Sequence, residues 1–416
     1  MPSSNQISQK DRPLNQRRVF SLLLIAISIS IGIGPLFLFI FTPNNIIENN
    51  RLEADTYFTP IIMVILFISI LMYGKLGKYI IRNSSEFIPL FGLWLIMLLS
   101  SIIYSRGAYI TLNLPFLGAV LFFMCSRGIM VEYPEIINKA LLAYIYTCGI
   151  VSIFYLILIN TPFAIVSQGR YFFLGENPNS YSTRLATSFV CSLFFLKKKN
   201  INRNILIVLF LISQLYVIFL SGSRGALFTL LIGSITYLIS LKQVKGLKVF
   251  LNYRFIIFVV MMAIILLVLF SEIDFSETSM VERLTDFFKS KNTGGRTRLW
   301  NDTFNIFIDN PIIGVGTDGF RNEMLIRFGE QRDAHNLFLY ILSTSGVIGT
   351  LAFLRFLLPM ALSSFRSQKK QFISLTIFII IISIAFRSGG ILAYSLLWYM
   401  FAICSAQNKI SISNYD

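Results

Sequence analysis

Long apolar runs recur along this chain, and they constrain its fold more than any other feature. A helix needs about 20 apolar residues to cross the hydrocarbon core of a bilayer. About twelve segments approach this measure. The chain is 55% hydrophobic and 13% charged, with a mean hydropathy of +0.70, whereas soluble domains carry about 25% charged residues. The sequence therefore predicts an all-α polytopic membrane protein with spans near residues 19–41, 57–74, 87–104, 108–125, 137–159, 180–196, 205–220, 224–241, 255–271, 336–358, 372–386 and 391–404.

The apolar runs divide the chain into five parts. The first run is too long for the core of a signal peptide, which has about 7–15 residues, and it lacks a small-residue cleavage site. We therefore expect it to stay as the first transmembrane helix. The predicted parts are a cytoplasmic tail over 1–18, transmembrane helices 1–9 over 19–271, a large periplasmic loop over 272–335, transmembrane helices 10–12 over 336–404, and a cytoplasmic tail over 405–416.

The basic residues predict the orientation of these helices. The formal net charge is +16, and cytoplasmic loops of membrane proteins carry an excess of Lys and Arg. With both termini in the cytoplasm, nearly all lysines fall on that side. Because the charge is spread over separate loops, it does not indicate a nucleic-acid partner. The short external loops then hold only Arg51, Arg106, Arg170, Arg184, Arg224 and Arg387.

Cysteine and histidine usage bears on metal binding. The four cysteines all lie within apolar runs and show no metal-ligand spacing or disulfide framework. The external loop contains the only histidine, His335, and no run of acidic metal ligands. We therefore expect small buried apolar cysteines and no metal site.

The external loop has a predicted structure of its own. We expect short amphipathic helices over Met280–Ser290 and Arg296–Asp309, because apolar residues recur there at helical spacing. Pro311 should end the second helix, and a tight turn should follow at Gly314, Gly316 and Gly319. The aromatic stripe of the second helix indicates core or membrane contact in preference to a ligand box; it comprises Trp300, Phe304 and Phe307.

Four external residues form the candidate site: Arg170, Arg224, Arg296 and His335. Arginine presents a planar fork of donors that suits phosphate, and histidine removes a proton near neutral pH. Further candidates for support are Arg298, Asp333, which lies close enough in sequence to orient the imidazole, and Asn336. The alternative for each arginine is an interfacial charge that reaches water. The alternative for His335 is a capping residue.

Three stretches resemble the O-antigen ligase and O-antigen polymerase superfamily. The long stretch GGRTRLW…FNIFIDNPIIGVGTDGF…HNLFLYILSTSGVIG is similar to its signature region, and SGSRG and R…GENPN are similar to its other two motifs. The resemblance covers about residues 165–350. It implies transfer of glycan from a polyprenyl (undecaprenyl) diphosphate to a hydroxyl acceptor, on the periplasmic face of the bacterial inner membrane.

The resemblance also implies roles for individual residues. Arg224, with Arg170 and Arg296, would hold the diphosphate, and His335 would contact or deprotonate the acceptor. Arg298 competes with Arg296 for its role. No metal, nucleotide or other cofactor is expected. One histidine opposite several arginines suits a single inverting displacement, because no carboxylate is placed as a second nucleophile.

The acceptor separates two hypotheses within this family. A polymerase adds glycan to another carrier-linked repeat unit, whereas a ligase adds it to the lipid A core of lipopolysaccharide. We favour the polymerase, and the ligase stays open. The expected partners are the carrier-linked oligosaccharide, the acceptor, membrane lipid and a chain-length regulator protein. The alternative from another class is a flippase for the same lipid-linked oligosaccharides, which the number of spans also fits.

Overall fold

The computed structural model describes residues 14–34, 58–104, 113–167, 169–196, 201–245, 296–329, 332–366, 372–387, 392 and 394–413. The predicted ninth span, 255–271, and the predicted helix Met280–Ser290 lie outside these residues. So do the external arginines Arg51 and Arg106. All statements below concern the described residues.

The first half of the described chain is mainly helical. The helix α1 precedes a bent pair, α2 and α3, which turn by 102° at their junction. Five longer helices and a small hairpin follow. The elements are α1 (Leu14–Ile33), α2 (Phe58–Met72), α3 (Leu76–Arg82), α4 (Ser84–Tyr104), α5 (Leu114–Glu132), α6 (Glu135–Leu158), β1 (Ala164–Ser167), β2 (Arg170–Phe173), α7 (Pro178–Leu193) and α8 (Ile201–Leu220).

The second half carries the remaining helices. Two of them, α10 and α11, lie in the predicted external loop, and α10 has the bounds that the sequence predicted. The elements are α9 (Arg224–Lys245), α10 (Arg296–Asp309), α11 (Gly316–Phe328), α12 (Leu337–Arg366), α13 (Phe372–Ala385) and α14 (Ser395–Ser413).

Several of these helices are long and apolar enough to cross a membrane. Within the described residues, six single helices meet that measure, or up to seven with the bent pair α2–α3. Shorter apolar helices occupy Arg224–Ser240 and Ile373–Ala385. The chain is therefore a helical membrane protein. The six or seven spans that pass are fewer than the twelve expected. The single helices lie at Asn15–Ile33, Ser84–Tyr104, Leu114–Glu132, Glu135–Leu158, Ile201–Leu220 and Leu337–Arg366.

Two helices lie inside the bundle. In α7 the residues 181–193 are all buried, and in α14 the residues 395–408 are all buried. Because neighbouring helices surround them, both can carry polar side chains that a lipid-facing helix would not. The outer helices instead expose apolar side chains, such as Ile150 and Ile157 on α6. Neither helix is among those long and apolar enough to cross a membrane, and α7 has only 16 residues.

A β-hairpin corrects the all-α expectation. β1 and β2 pair antiparallel, with Ser167 opposite Arg170, and Gly169 at the turn has a φ of 65°. The strands read AIVS and RYFF, and β-branched and aromatic residues suit an extended, half-buried pair. At four residues each, the strands are too short to give a clear alternating pattern. The hairpin places Arg170 at the first position of β2.

A break in α12 receives a segment of the external loop. Gly346 has φ 60° and ψ −162°, so the helix is interrupted there. The Val315 amide donates to the Ser343 carbonyl at 3.0 Å, and the Val347 amide donates to the Pro311 carbonyl at 2.8 Å. The segment 311–315 therefore pairs with the broken helix along its backbone. This pairing fixes the loop between α10 and α11 against the helix that follows His335.

Glycine is required on both sides of this contact. A Cβ at Gly346 would overlap the backbone of Ile312, and a Cβ at Gly314 would overlap that of Thr344. Gly316, with φ 72°, packs in the same way against Ser101 on α4. The sequence predicted that Gly319 belongs to the turn. This prediction is wrong, because α11 already begins at Gly316 and Gly319 lies within that helix.

We predict that Gly346→Ala disrupts the contact between the loop and α12. The φ and ψ at Gly346 are open almost only to glycine, at a cost of about 1–3 kcal/mol for other residues, and the overlap adds to it. The expected result is a lower melting temperature in detergent. The matched control is Gly92→Ala, a helical position with nothing within 4 Å of the added Cβ. Equal melting temperatures for the two variants would contradict the contact.

Candidate functional site

Arg224 is the first residue of α9. The SGSRG motif forms the turn between α8 and α9, with a φ of 60° at Gly222. The Ser221 hydroxyl accepts from the Ser223 amide at 3.1 Å, and the Ser223 carbonyl accepts from the Ala226 amide at 3.0 Å. The small residues of the motif thus build a tight turn. It presents Arg224 at the start of a helix, where the helix dipole favours negative ligands.

Arg170 binds to the same turn. Its Nε donates to the Ser221 carbonyl at 2.8 Å, and its Nη2 donates to Asn179 Oδ1 at 2.8 Å. The hairpin and the SGSRG motif are therefore directly connected. The sequence predicted both Arg170 and Arg224 as site residues. Arg170 contacts the SGSRG turn from the hairpin, and Arg224 is part of that turn.

A buried ion pair lies beneath the hairpin. Glu176, in the turn before α7, pairs with Arg184 through both carboxylate oxygens. The Tyr155 hydroxyl also donates to Glu176 at 2.8 Å. The prediction that placed Arg184 in a short external loop is therefore wrong. Arg184 lies inside the bundle, where a carboxylate partner offsets the cost of burying its charge.

The ring of Phe173 packs the hairpin against the buried residues around the Glu176–Arg184 pair. It stacks on Tyr155 with ring centroids 4.6 Å apart. The Tyr181 hydroxyl donates to the carbonyl of Tyr171 at 2.7 Å. Tyr155 and Tyr181 therefore fix the position of the strand that begins at Arg170. In this way the GENPN motif supports the position of Arg170 from below.

Arg296 and His335 come together across the loop. Arg296 begins α10, which packs against α12, and His335 lies just before α12. The Asn336 side chain caps α12, because its Oδ1 accepts from the amides of Phe338 at 3.0 Å and Leu339 at 3.2 Å. His335 itself has a φ of 50°, a left-handed conformation that is uncommon for residues other than glycine. Asn336 thus supports the site as a helix cap.

The pKa of His335 is lowered. Desolvation by the surrounding protein contributes most, and the positive charges of Arg296 and Arg332 add to it. The residue as a whole still reaches solvent. The imidazole is therefore accessible and favours its neutral form, which can accept a proton.

Arg298 points elsewhere. Its guanidinium lies over the Phe328 ring at 5.2 Å and 3.9 Å from Asp302, and its side chain is 76% exposed. Arg332 lies over the same ring at 5.4 Å. Of the two arginines that the sequence left open, Arg296 is the one whose charge acts on His335.

The charge of Arg321 acts on Asp333. Burial raises the pKa of Asp333, and the charge of Arg321 partly offsets this effect. Arg321 acts in the same way on Asp318. Among the described residues no hydrogen bond joins Asp333 to His335. The predicted supporting role of Asp333 stays a prediction.

Arg387 is a site residue that the sequence reasoning missed. It follows α13, and its Nη1 occupies the place where a Cβ of Gly225 would stand, next to Arg224. Burial, then the charge of Arg296, lowers the pKa of Arg387 to about 9. The only sequence signal was its place among the external arginines. Nothing in the sequence indicated that it meets the start of α9.

The site thus gathers positive charge from four parts of the chain. Arg170 contacts the turn that precedes Arg224, Arg387 lies at the start of the same helix, and the charge of Arg296 acts on both Arg387 and His335. Such a cluster repels itself unless an anion lies among the guanidinium groups. The arrangement is suited to bind a ligand with several negative oxygens.

The described residues also bear on metal binding. No group of three or more His, Cys, Asp or Glu side chains in this part of the chain is placed to hold a metal ion. The four cysteines are buried and free.

Residues 206–354 match the family model described as O-antigen ligase. Over this part, the chain is similar to the O-antigen ligase family. The match confirms the resemblance that the motifs indicated, and it includes Arg224, Arg296 and His335, while Arg170 and Arg387 lie outside it. The family implies a glycosyl-transferring membrane protein of polysaccharide biosynthesis, with a lipid-linked glycan and an acceptor as substrates. A comparison with curated proteins gave no match.

We predict that Arg332→Gln shifts the pH dependence of glycan transfer. The charge of Arg332 lowers the pKa of His335, so its removal raises that pKa. With His335 as the base, which is the role that the resemblance implies, the acidic limb of the activity profile should then move to higher pH. The measurement is transfer rate against pH for purified protein. Arg327→Gln is the control, because Arg327 pairs with Asp309 and Glu323; equal profiles for both variants would refute the coupling.

Proposed function

We propose that this protein transfers glycan from a polyprenyl diphosphate to a hydroxyl acceptor at the periplasmic face of the bacterial inner membrane. The observation that carries the proposal is the cluster of arginines beside a histidine with a lowered pKa. A leaving diphosphate requires several cationic donors, and an acceptor hydroxyl requires a neutral base. The match of residues 206–354 to the O-antigen ligase family supports the same class of reaction.

The donor would lie among the arginines. Arg170, Arg224 and Arg296 would contact the diphosphate oxygens and stabilise the charge that develops as the diphosphate leaves. Lysine is a poorer substitute, because a point charge does not reproduce the guanidinium fork. Arg298, turned toward Phe328, would take no part.

The reaction is then a single displacement. The acceptor oxygen bonds to the anomeric carbon, while the bond from that carbon to the diphosphate oxygen breaks. The electron pair leaves with the lipid diphosphate, and the acceptor proton moves to neutral His335. One attack from the opposite side inverts the anomeric centre. The proposed reaction uses no metal ion.

The two ends of the bundle support the proposed orientation. Lys75 pairs with Glu132 at 2.9 Å, and Arg17 pairs with Glu135 at 2.6 Å, where α5 ends and α6 begins. The site lies at the opposite end of α4, where the Ser100 hydroxyl donates to the Ile313 carbonyl at 2.6 Å. Both ion pairs therefore lie at the end away from the site. In the proposed topology of about twelve spans, that end and both termini face the cytoplasm.

The acceptor is the second part of the proposal. We favour a polymerase, which uses a carrier-linked repeat unit as acceptor, with a ligase for lipid A core as the close alternative. A chain-length regulator would be a partner of the polymerase. Membrane lipid surrounds the bundle in both cases.

The experiment that tests the function is transfer by purified full-length protein in detergent, without divalent metal. A polyprenyl-diphosphate oligosaccharide is supplied alone or together with lipid A core. A ladder from the donor alone indicates a polymerase, and product only with the core indicates a ligase. Binding of the donor without product under either condition would contradict the enzyme and favour a flippase.

We predict that substitutions at Arg296 and at Arg298 have different effects on the rate of transfer in this assay. His335→Gln should lower the transfer rate by about 10²–10⁴-fold, which is the usual contribution of a general base. Arg296→Gln should abolish transfer, because it removes a contact to the leaving group. Arg298→Gln, two residues away, is the matched control and should retain activity. Equal losses in the Arg296 and Arg298 variants would show that only the overall charge of this helix matters.

A further inference from the structure

We propose that Arg387 is a further diphosphate-binding residue, and that Gly225 provides the space for its guanidinium. The inference rests on the proposed function, because its ligand is the donor diphosphate. Arg387 comes from the turn after α13 and lies outside the residues that match the ligase family. It would add a fourth guanidinium to the set of Arg170, Arg224 and Arg296.

The position of Arg387 depends on the absence of a side chain at residue 225. A Cβ built on Gly225 would overlap Nη1 of Arg387. Only glycine therefore lets the guanidinium reach the first turn of α9. The result is that Arg387 lies beside Arg224, although one residue follows α13 and the other begins α9.

Neutral groups hold the guanidinium in this position. Its Nε donates to the Ser383 carbonyl at 3.1 Å, and its Nη2 donates to Thr229 Oγ1 at 2.6 Å. The Thr229 hydroxyl also accepts from the Ser383 hydroxyl at 2.9 Å and donates to the Gly225 carbonyl at 3.3 Å. The hydroxyl group therefore uses its one donor and both acceptor sites. These contacts fix the direction of the side chain and leave its charge uncompensated.

The charge of Arg387 is what requires a ligand. Among the described residues, no carboxylate pairs with Arg387, whereas the buried Arg184 and Arg127 each have a glutamate partner. A half-buried cation beside another arginine is costly unless an anion compensates it. The start of α9 adds backbone N–H groups of the same polarity. A diphosphate, with two phosphate groups, offers enough oxygens for several guanidinium forks at once.

The test is binding of polyprenyl diphosphate, without sugar, to the purified full-length protein in detergent. Arg387→Gln should weaken binding about tenfold or more, as expected for a lost charged hydrogen bond. Binding of polyprenyl monophosphate should change less, because fewer contacts are available to it. Arg327→Gln, an arginine paired on the loop surface, is the control and should bind as the unchanged protein does.

The outcomes separate this inference from the proposed function. Weaker binding by both Arg387→Gln and Arg296→Gln supports it. Normal binding by Arg387→Gln with a lower melting temperature, while Arg296→Gln binds weakly, would show that Arg387 only anchors α13 to α9 and would overturn the inference alone. Normal binding by both variants would overturn the proposed site as well. Should Arg387→Gln fail to fold, Arg387→Lys replaces it, with weaker binding again expected and normal binding again contradicting the inference.

Discussion

The backbone pairing between the segment 311–315 and the break in α12 is the interaction on which the site depends. It joins the loop after α10, which begins with Arg296, to the helix that follows His335. Neither partner can form this contact alone, because an unpaired break in a helix leaves polar backbone groups without partners. The glycines of the signature stretch therefore have a mechanical role. They let two backbones approach closely and set the distance between a cation and a base.

The second constraint is electrostatic. Arginines from the hairpin, α9, α10 and the turn after α13 meet at one end of the bundle, and the charge of Arg296, together with that of Arg332, disfavours protonation of His335. In the proposed function, the same cluster binds the diphosphate and keeps a neutral base beside it. Both anion binding and the lowered pKa of His335 require arginines in fixed positions. The buried Glu176–Arg184 pair beneath the hairpin helps to fix Arg170.

The sequence predicted the parts of this structure that follow from local patterns. The helix Arg296–Asp309 has its predicted bounds, because apolar residues recur there at helical spacing. Its buried face, however, consists of Leu299, Thr303 and Ile306, whereas Phe304 is 45% exposed. Periodicity gives the helix but does not decide which of two apolar stripes packs against protein and which stays exposed.

Contacts between distant segments were harder to predict. The role of Gly225 and the position of Arg387 depend on each other, and neither is visible in its own stretch of sequence. The hairpin was missed because four-residue strands give too little pattern. Arg184 seemed external because a buried arginine is recognisable only together with its partner, Glu176. In each case the deciding information was a tertiary contact.

The most direct test of the central claim is an experimental structure of the full chain with a polyprenyl-diphosphate oligosaccharide bound. The account predicts diphosphate oxygens within hydrogen-bond distance of Arg170, Arg224 and Arg296, with His335 facing the anomeric carbon from the opposite side. A diphosphate bound at Arg298 and Arg332, or held away from the SGSRG turn, would contradict it.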